Sequence, residues 1–144
     1  MIGLGYTISM ELNDILKIAV KASASDIHLK AGLAPIFRID GSLVPLNNAP
    51  AMTAEYILKV LGMMMNAQQK MRFEEFSEVD LAYGVAGVGR FRVNAFQQRG
   101  TPGLVFRVIP YVVKNFDQLD LPGVLKKIAL AERGLILVTG ATGS

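Results

Sequence analysis

The sequence predicts an α+β domain built on an antiparallel sheet, followed by the opening helix and strand of an α/β unit. Three observations carry this. Apolar residues recur at helical spacing over residues 11–23 and again over 53–76. Three β-rich runs joined by Gly-rich turns follow over residues 79–109, a meander rather than a β–α alternation. Beyond an irregular stretch come a short helical pattern, an apolar run at 135–138 and a second Gly-rich turn.

Each element has a local reason. Residues 11–23 set Leu12, Ile15, Leu16, Ala19 and Val20 on one helical face. Residues 26–30 alternate like a short strand. Residues 35–39 and 42–46 flank Asp40 and Gly41, the pair most often found in a two-residue hairpin turn. Pro45 assigns the second of these strands to an edge or a strand end. Thr53 is an N-cap for a helix carrying Tyr56, Ile57, Val60 and Leu61, and Asn66 caps another that runs through Gln69, Met71, Phe73 and Phe76. Strands at 79–85, 90–98 and 103–109 are separated by turns at 86–89 and 99–102. Residues 110–121 are mixed in polarity and read as a linker. Pro122 at a first helical position starts a helix over 123–131, and Gly134 closes it.

Composition bounds the function. Apolar residues make up 51% of the 144, enough for a packed core. The absence of cysteine excludes a disulfide framework and a thiolate metal site, and a single histidine, His28, argues against a multi-histidine centre. No apolar stretch is long enough for a membrane helix, and residues 1–10 do not have the pattern of a signal peptide. The cytoplasm is therefore the expected compartment. Net charge is only +3, but residues 81–116 contain no carboxylate and five bases: Arg90, Arg92, Arg99, Arg107 and Lys114.

Two stretches carry chemistry. The first is the C-terminal run, a buried strand at 135–138 followed by Gly140, Ala141, Thr142, Gly143 and Ser144. These five residues fill the opening positions of a P-loop, G-x-x-x-x-G-K-[ST], whose lysine, magnesium-binding Ser/Thr and following helix lie beyond Ser144. The second is the strand Arg90-Phe-Arg-Val-Asn-Ala-Phe96. Its period of two sets Arg90, Arg92 and Asn94 on one face and Phe91, Val93 and Ala95 on the other, with Arg107 on the next strand able to approach the first set. Guanidinium forks match phosphate oxygens. The same arginines also fit a solvated face paired with Glu74, Glu75 or Glu78. Single-stranded nucleic acid is disfavoured, because the phenylalanines face away from the arginines. His28 reads as structural, Asp26 as a turn cap or a partner of Lys30, and Met63, Met64, Met65 and Met71 as core filler or an adaptable packing surface. Glu78 and Asp80 share a strand face but do not read as an acid/base pair.

The runs 24–29 (ASDIHL), 38–42 (RIDGS), 80–83 (DLAY), 89–96 (GRFRVNAF) and 134–140 (GLILVTG), in this order and spacing, resemble the hexameric ATPases of the type II/IV secretion superfamily. Within it they look most like the PilT-type retraction ATPases of type IV pili. The resemblance covers residues 10–144. It implies a PAS-like domain over 10–109 and, beyond the linker at 110–121, the start of a RecA-like ATPase domain over 122–144, interrupted in its Walker A loop; residues 1–9, ahead of the cleaner amphipathic pattern that begins at Met10, read as a leader or extension. It further implies that Arg92 and Arg107, and with a poorer match Arg90, close over the phosphates of ATP held by residues 140–144. The intact protein would use ATP and Mg2+, assemble as a homo-hexamer, act on an inner-membrane pilus platform protein, and drive pilus retraction and twitching motility. The chain by itself, without the Walker A lysine, the acidic boxes or the histidine box, is expected neither to hydrolyse ATP nor to bind it tightly. Ala141 stands where many members have proline, a tolerable change because no backbone N–H is required there. Two other readings remain at this point: a stand-alone PAS-like module for a small ligand or a protein, and an assembly module whose sheet face meets another subunit.

Overall fold

The structure is a computed structural model and describes residues 10–110 and 112–141. It is α+β, as the sequence predicts. The chain divides into two compact units, Met1–Tyr111 and Val112–Ser144.

The first unit begins with α1 (Leu12–Lys21) and β1 (Asp26–Lys30). The hairpin β2 (Ile36–Ile39) and β3 (Ser42–Pro45) follows, then α2 (Ala54–Met64) and α3 (Ala67–Phe76). The meander β4 (Glu78–Val85), β5 (Gly89–Gln98) and β6 (Thr101–Ile109) completes it. All six strands join one antiparallel sheet in the order β3-β2-β1-β6-β5-β4. The first and last strands of the unit are therefore neighbours at its centre.

Local chemistry explains the joints. Asp40 and Gly41 both have positive φ, +46° and +80°, as the tight β2–β3 turn requires. Arg99 and Gly100 repeat this at β5–β6, with φ of +51° and +76°. Thr53 Oγ1 accepts from the Tyr56 amide at 3.1 Å and starts α2. Asn66 and Gln69 form a reciprocal capping box at α3, at 2.9 and 3.0 Å. Pro45 ends the edge strand β3, where no ladder amide is lost. Pro102, assigned to a turn by the sequence, lies inside β6. The β1 ladder reaches only Gly103, so the missing N–H of Pro102 leaves that pairing intact.

One sheet face is apolar. Ile27, Leu29, Phe37, Val79, Leu81, Phe91, Val93, Ala95, Leu104 and Phe106 are buried there with Leu12, Ile15, Leu16 and Ala19 of α1 and Ile57, Val60 and Leu61 of α2. Phe106 meets Phe91 and Tyr83 edge to face, with centroids 6.2 and 6.5 Å apart. The other face carries the polar side chains. Of the methionines, Met64 and Met65 pack against the core, whereas Met63 and Met71 are exposed.

The second unit departs from expectation in two ways. Its helix α4 is a single short turn, Val124–Ile128, rather than the nine residues from 123 to 131. Residues 135–138, expected as a buried strand, form no strand, and Leu135 and Val138 are 84% and 89% exposed. The correction has a simple cause. A strand exists only as part of a ladder, and no described residue pairs with this run. Apolar β-branched composition supplies the inner strand of a sheet but not its neighbours.

Candidate phosphate-facing site

The site is built on the polar face, across the central strands. Antiparallel register places Arg92 of β5 directly opposite Arg107 of β6, and Arg107 opposite Asp26 of β1, which in turn faces Arg38 of β2. One row across the sheet therefore reads Arg38, Asp26, Arg107, Arg92. The next row on this face places Ile36, His28, Val105, Asn94 and Asp80 side by side. The β5 alternation predicted from sequence is present: Arg90 and Arg92 are exposed and Phe91, Val93 and Ala95 are buried.

Two like charges directly across a ladder repel unless each has a counter-charge. Both do. Arg107 Nε donates to Asp26 Oδ1 at 3.0 Å, and Arg92 Nη2 donates to Asp80 Oδ2 at 3.1 Å. Asn94 Nδ2 donates to Glu78 at 2.9 Å and to Asp80 at 3.4 Å. Asp26 also accepts from the Ser25 hydroxyl at 2.8 Å, and Arg38 Nε lies 3.5 Å from its other oxygen. Asp26 is the one charged residue buried among the described residues. Burial alone would raise its carboxyl pKa. The Ser25 hydroxyl and the guanidiniums of Arg107 and Arg38 outweigh that and hold it below the ordinary carboxylate range. Asp80 is lowered chiefly by its bond to Arg92, against slight desolvation.

Both arginines keep most of their surface in solvent, with side chains 70% exposed for Arg107 and 65% for Arg92. Asp26, Glu78, Asp80, Arg92, Asn94, Val105 and Arg107 line one open depression. A second cleft shares Glu78 and Asp80 with it and is walled by α3, where the Arg72 guanidinium sits 5.8 Å from the Phe76 ring centroid.

Arg92 and Arg107 are brought together. Arg90 lies on the same face two residues before Arg92, opposite Gly84 and Ile109. Gly140 and Ala141 lie in the second unit, exposed and outside any helix or strand, while Thr142, Gly143 and Ser144 are outside the described residues. The carboxylates that hold Arg107 and Arg92 are Asp26 and Asp80, not Glu74, Glu75 or Glu78, and Asp26 reaches Arg107 rather than Lys30. The signal for them was indirect: five bases over residues 81–116 with no acid among them need acids from other strands. No group of three or more His, Cys, Asp or Glu among the described residues is arranged to hold a metal ion. No helix among them is long and apolar enough to cross a membrane.

No family model matches the chain. Individual relatives do, and the chain belongs to the type II/IV secretion ATPase family. The type IV pilus retraction ATPase PilT of Pseudomonas aeruginosa is 42% identical over 135 residues, which make up 94% of this chain and 39% of that protein. The type IV pilus ATPase PilU of the same organism is 38% identical over 94% of this chain and 35% of its own length. A twitching motility protein of Neisseria gonorrhoeae is 39% identical over 76% of this chain and 29% of its own. A crystal structure of the pilus retraction motor PilT with bound ADP superposes with a TM-score of 0.80 at 41% identity, covering 94% of this chain and 39% of that one. The chain thus spans about two fifths of the length of PilT, and it corresponds to the N-terminal region of PilT.

Proposed function

We propose that this chain is the N-terminal, PAS-like part of a hexameric ATPase that powers retraction of a type IV pilus. In this reading Arg92 and Arg107, supported by Arg90, close over the phosphates of ATP. Residues 110–121 are the linker and 122–144 the opening of the RecA-like ATPase domain, with residues 140–144 the first part of its Walker A loop. The N-terminal domain of one subunit packs on the ATPase domain of its neighbour, and nucleotide turnover moves one against the other. The partner that receives this motion is the pilus platform protein at the inner membrane, approached from the cytoplasm. Mg2+ accompanies ATP and neutralises phosphate charge; the chain's own share of the site is its guanidiniums.

The observation that carries the proposal is the register of Arg92 against Arg107. Two exposed guanidiniums stand on directly opposed residues of neighbouring strands, with their carboxylates on the strands to either side. The relatives support it: those named are pilus ATPases or a motility protein, and one structure of PilT holds ADP. They do not favour a stand-alone sensory module. The interior that such a module would use for a ligand is filled by Phe91, Phe106, Leu104 and Val93, each fully buried.

The test is made in the intact ATPase. Arg92→Ala and Arg107→Ala are each expected to lose about 2–4 kcal/mol of transition-state stabilisation, read as kcat/KM for ATP. Unchanged turnover in both variants rejects the proposed role.

A further inference from the structure

We propose that Asp26 is a positioning residue, setting the direction in which Arg107 presents its terminal nitrogens to phosphate. The inference rests on the reading of Arg107 given above and adds a residue to it. The two arginines are held differently. Asp26 grips Arg107 through Nε, the inner nitrogen, at 3.0 Å. This bond restrains the guanidinium through its inner nitrogen and leaves the terminal nitrogens Nη1 and Nη2 outside it, on a side chain that is 70% in solvent. Asp80 instead occupies a terminal nitrogen of Arg92, and its own side chain is 53% exposed. An exposed, singly bonded ion pair contributes little and exchanges readily for another anion.

Asp26 is built not to exchange. Its side chain is only 9% exposed, and three donors converge on it from three directions: the Ser25 hydroxyl, Arg107 and Arg38. Arg38 is itself anchored, since its Nη1 donates to the Gly41 carbonyl at 2.9 Å in the β2–β3 turn. One carboxylate thus serves two arginines. It orients Arg107 without cancelling the positive charge of the row, which is what an orienting group for an anion-binding guanidinium must do. An anion arriving on the polar face meets Arg107 already aimed, whereas it must displace Asp80 to engage Arg92 fully.

A double-mutant cycle in the intact ATPase tests this. Asp26→Asn keeps the shape and removes the charge; Arg107→Lys keeps the charge but has no inner nitrogen for Asp26 to hold. Asp26→Asn is expected to lower kcat/KM for ATP about tenfold when Arg107 is present and less than twofold in the Arg107→Lys background. A tenfold loss that persists in that background shows that Asp26 acts elsewhere and overturns the proposal. If Asp26→Asn does not fold, Asp26→Glu, which shifts the carboxylate by one methylene, enters the same cycle.

A second measurement stands apart from activity. In 15N NMR of the 144-residue chain, the Arg107 Nε–H signal is expected to be resolved and protected from exchange, to be lost or shifted in Asp26→Asn, and to remain in Asp80→Asn. An Arg107 signal unchanged by Asp26→Asn overturns the positioning role. Unaltered kcat/KM in Arg107→Ala rejects the phosphate reading and leaves the NMR result to decide the geometry.

Discussion

At the scale of the residue, the polar face links charge to stability, and the link has a sign. Asp26 and Asp80 titrate below their ordinary range in the folded chain. The unfolded chain then takes up protons first, so their contribution is full above about pH 4 and is lost as pH falls through the folded values. His28 also titrates lower than usual, through burial and the nearby Arg38, against the opposing pull of Asp26. Its Nε2 is buried without a hydrogen-bond partner between Ile36 and Val105. For a base with a lowered folded value the unfolded state again binds the extra proton, so stability declines as pH drops below about 6.5. Thermal melts at stepped pH should therefore show two acid phases. His28→Gln is expected to remove the upper one and leave the lower, and a single phase in the native chain would contradict this assignment. The partners of the arginines were not legible in the sequence. Asp26 and Arg107 are 81 positions apart and meet only because β1 and β6 are neighbours, a fact of sheet order that no local pattern encodes.

At the scale of the element, local chemistry was legible wherever it is self-contained. Thr53 and Asn66 were recognisable as caps because a cap needs only the next three residues, and Asp40 and Gly41 as a turn because positive φ is a property of the residue. Asn66→Ala removes the side-chain half of the capping box, the bond accepted from the Gln69 amide, and is expected to lower stability by about 1 kcal/mol in urea unfolding. The β5–β6 ladder contains a closer fit that sequence did not reveal. The Phe96 ring lies over Gly103 on the opposite strand, and a methyl group there would come within 2.7 Å of it. Gly103→Ala is expected to destabilise by about 1–3 kcal/mol, and Phe96→Ala in the same chain to recover part of that loss. Phe106→Ala empties the centre of the aromatic cluster and is expected to lose about 3–5 kcal/mol. By contrast, residues 135–138 have the composition of a strand without the neighbours that make one, which is why composition alone misread their state.

At the scale of the whole molecule, stability is concentrated in the first unit. None of the described residues from 112 onward is buried, whereas the first unit holds the entire core cluster. A chain ending at Tyr111 is expected to keep the Tm of the longer one, and a drop of several degrees would show that the second unit contributes to folding. The sheet order has a mechanical consequence. The chain leaves the first unit through β6, the strand paired along its length with β5 on one side and over Gly103 to Arg107 with β1 on the other. Tension applied at Ile109 along the strand axis must shear two ladders at once instead of peeling bonds one by one from an edge. The Asp26–Arg107 pair crosses one of those ladders beside the point where the load enters. Under the role proposed for Arg107, the guanidinium offered to phosphate is thus held on a strand that carries load through two ladders.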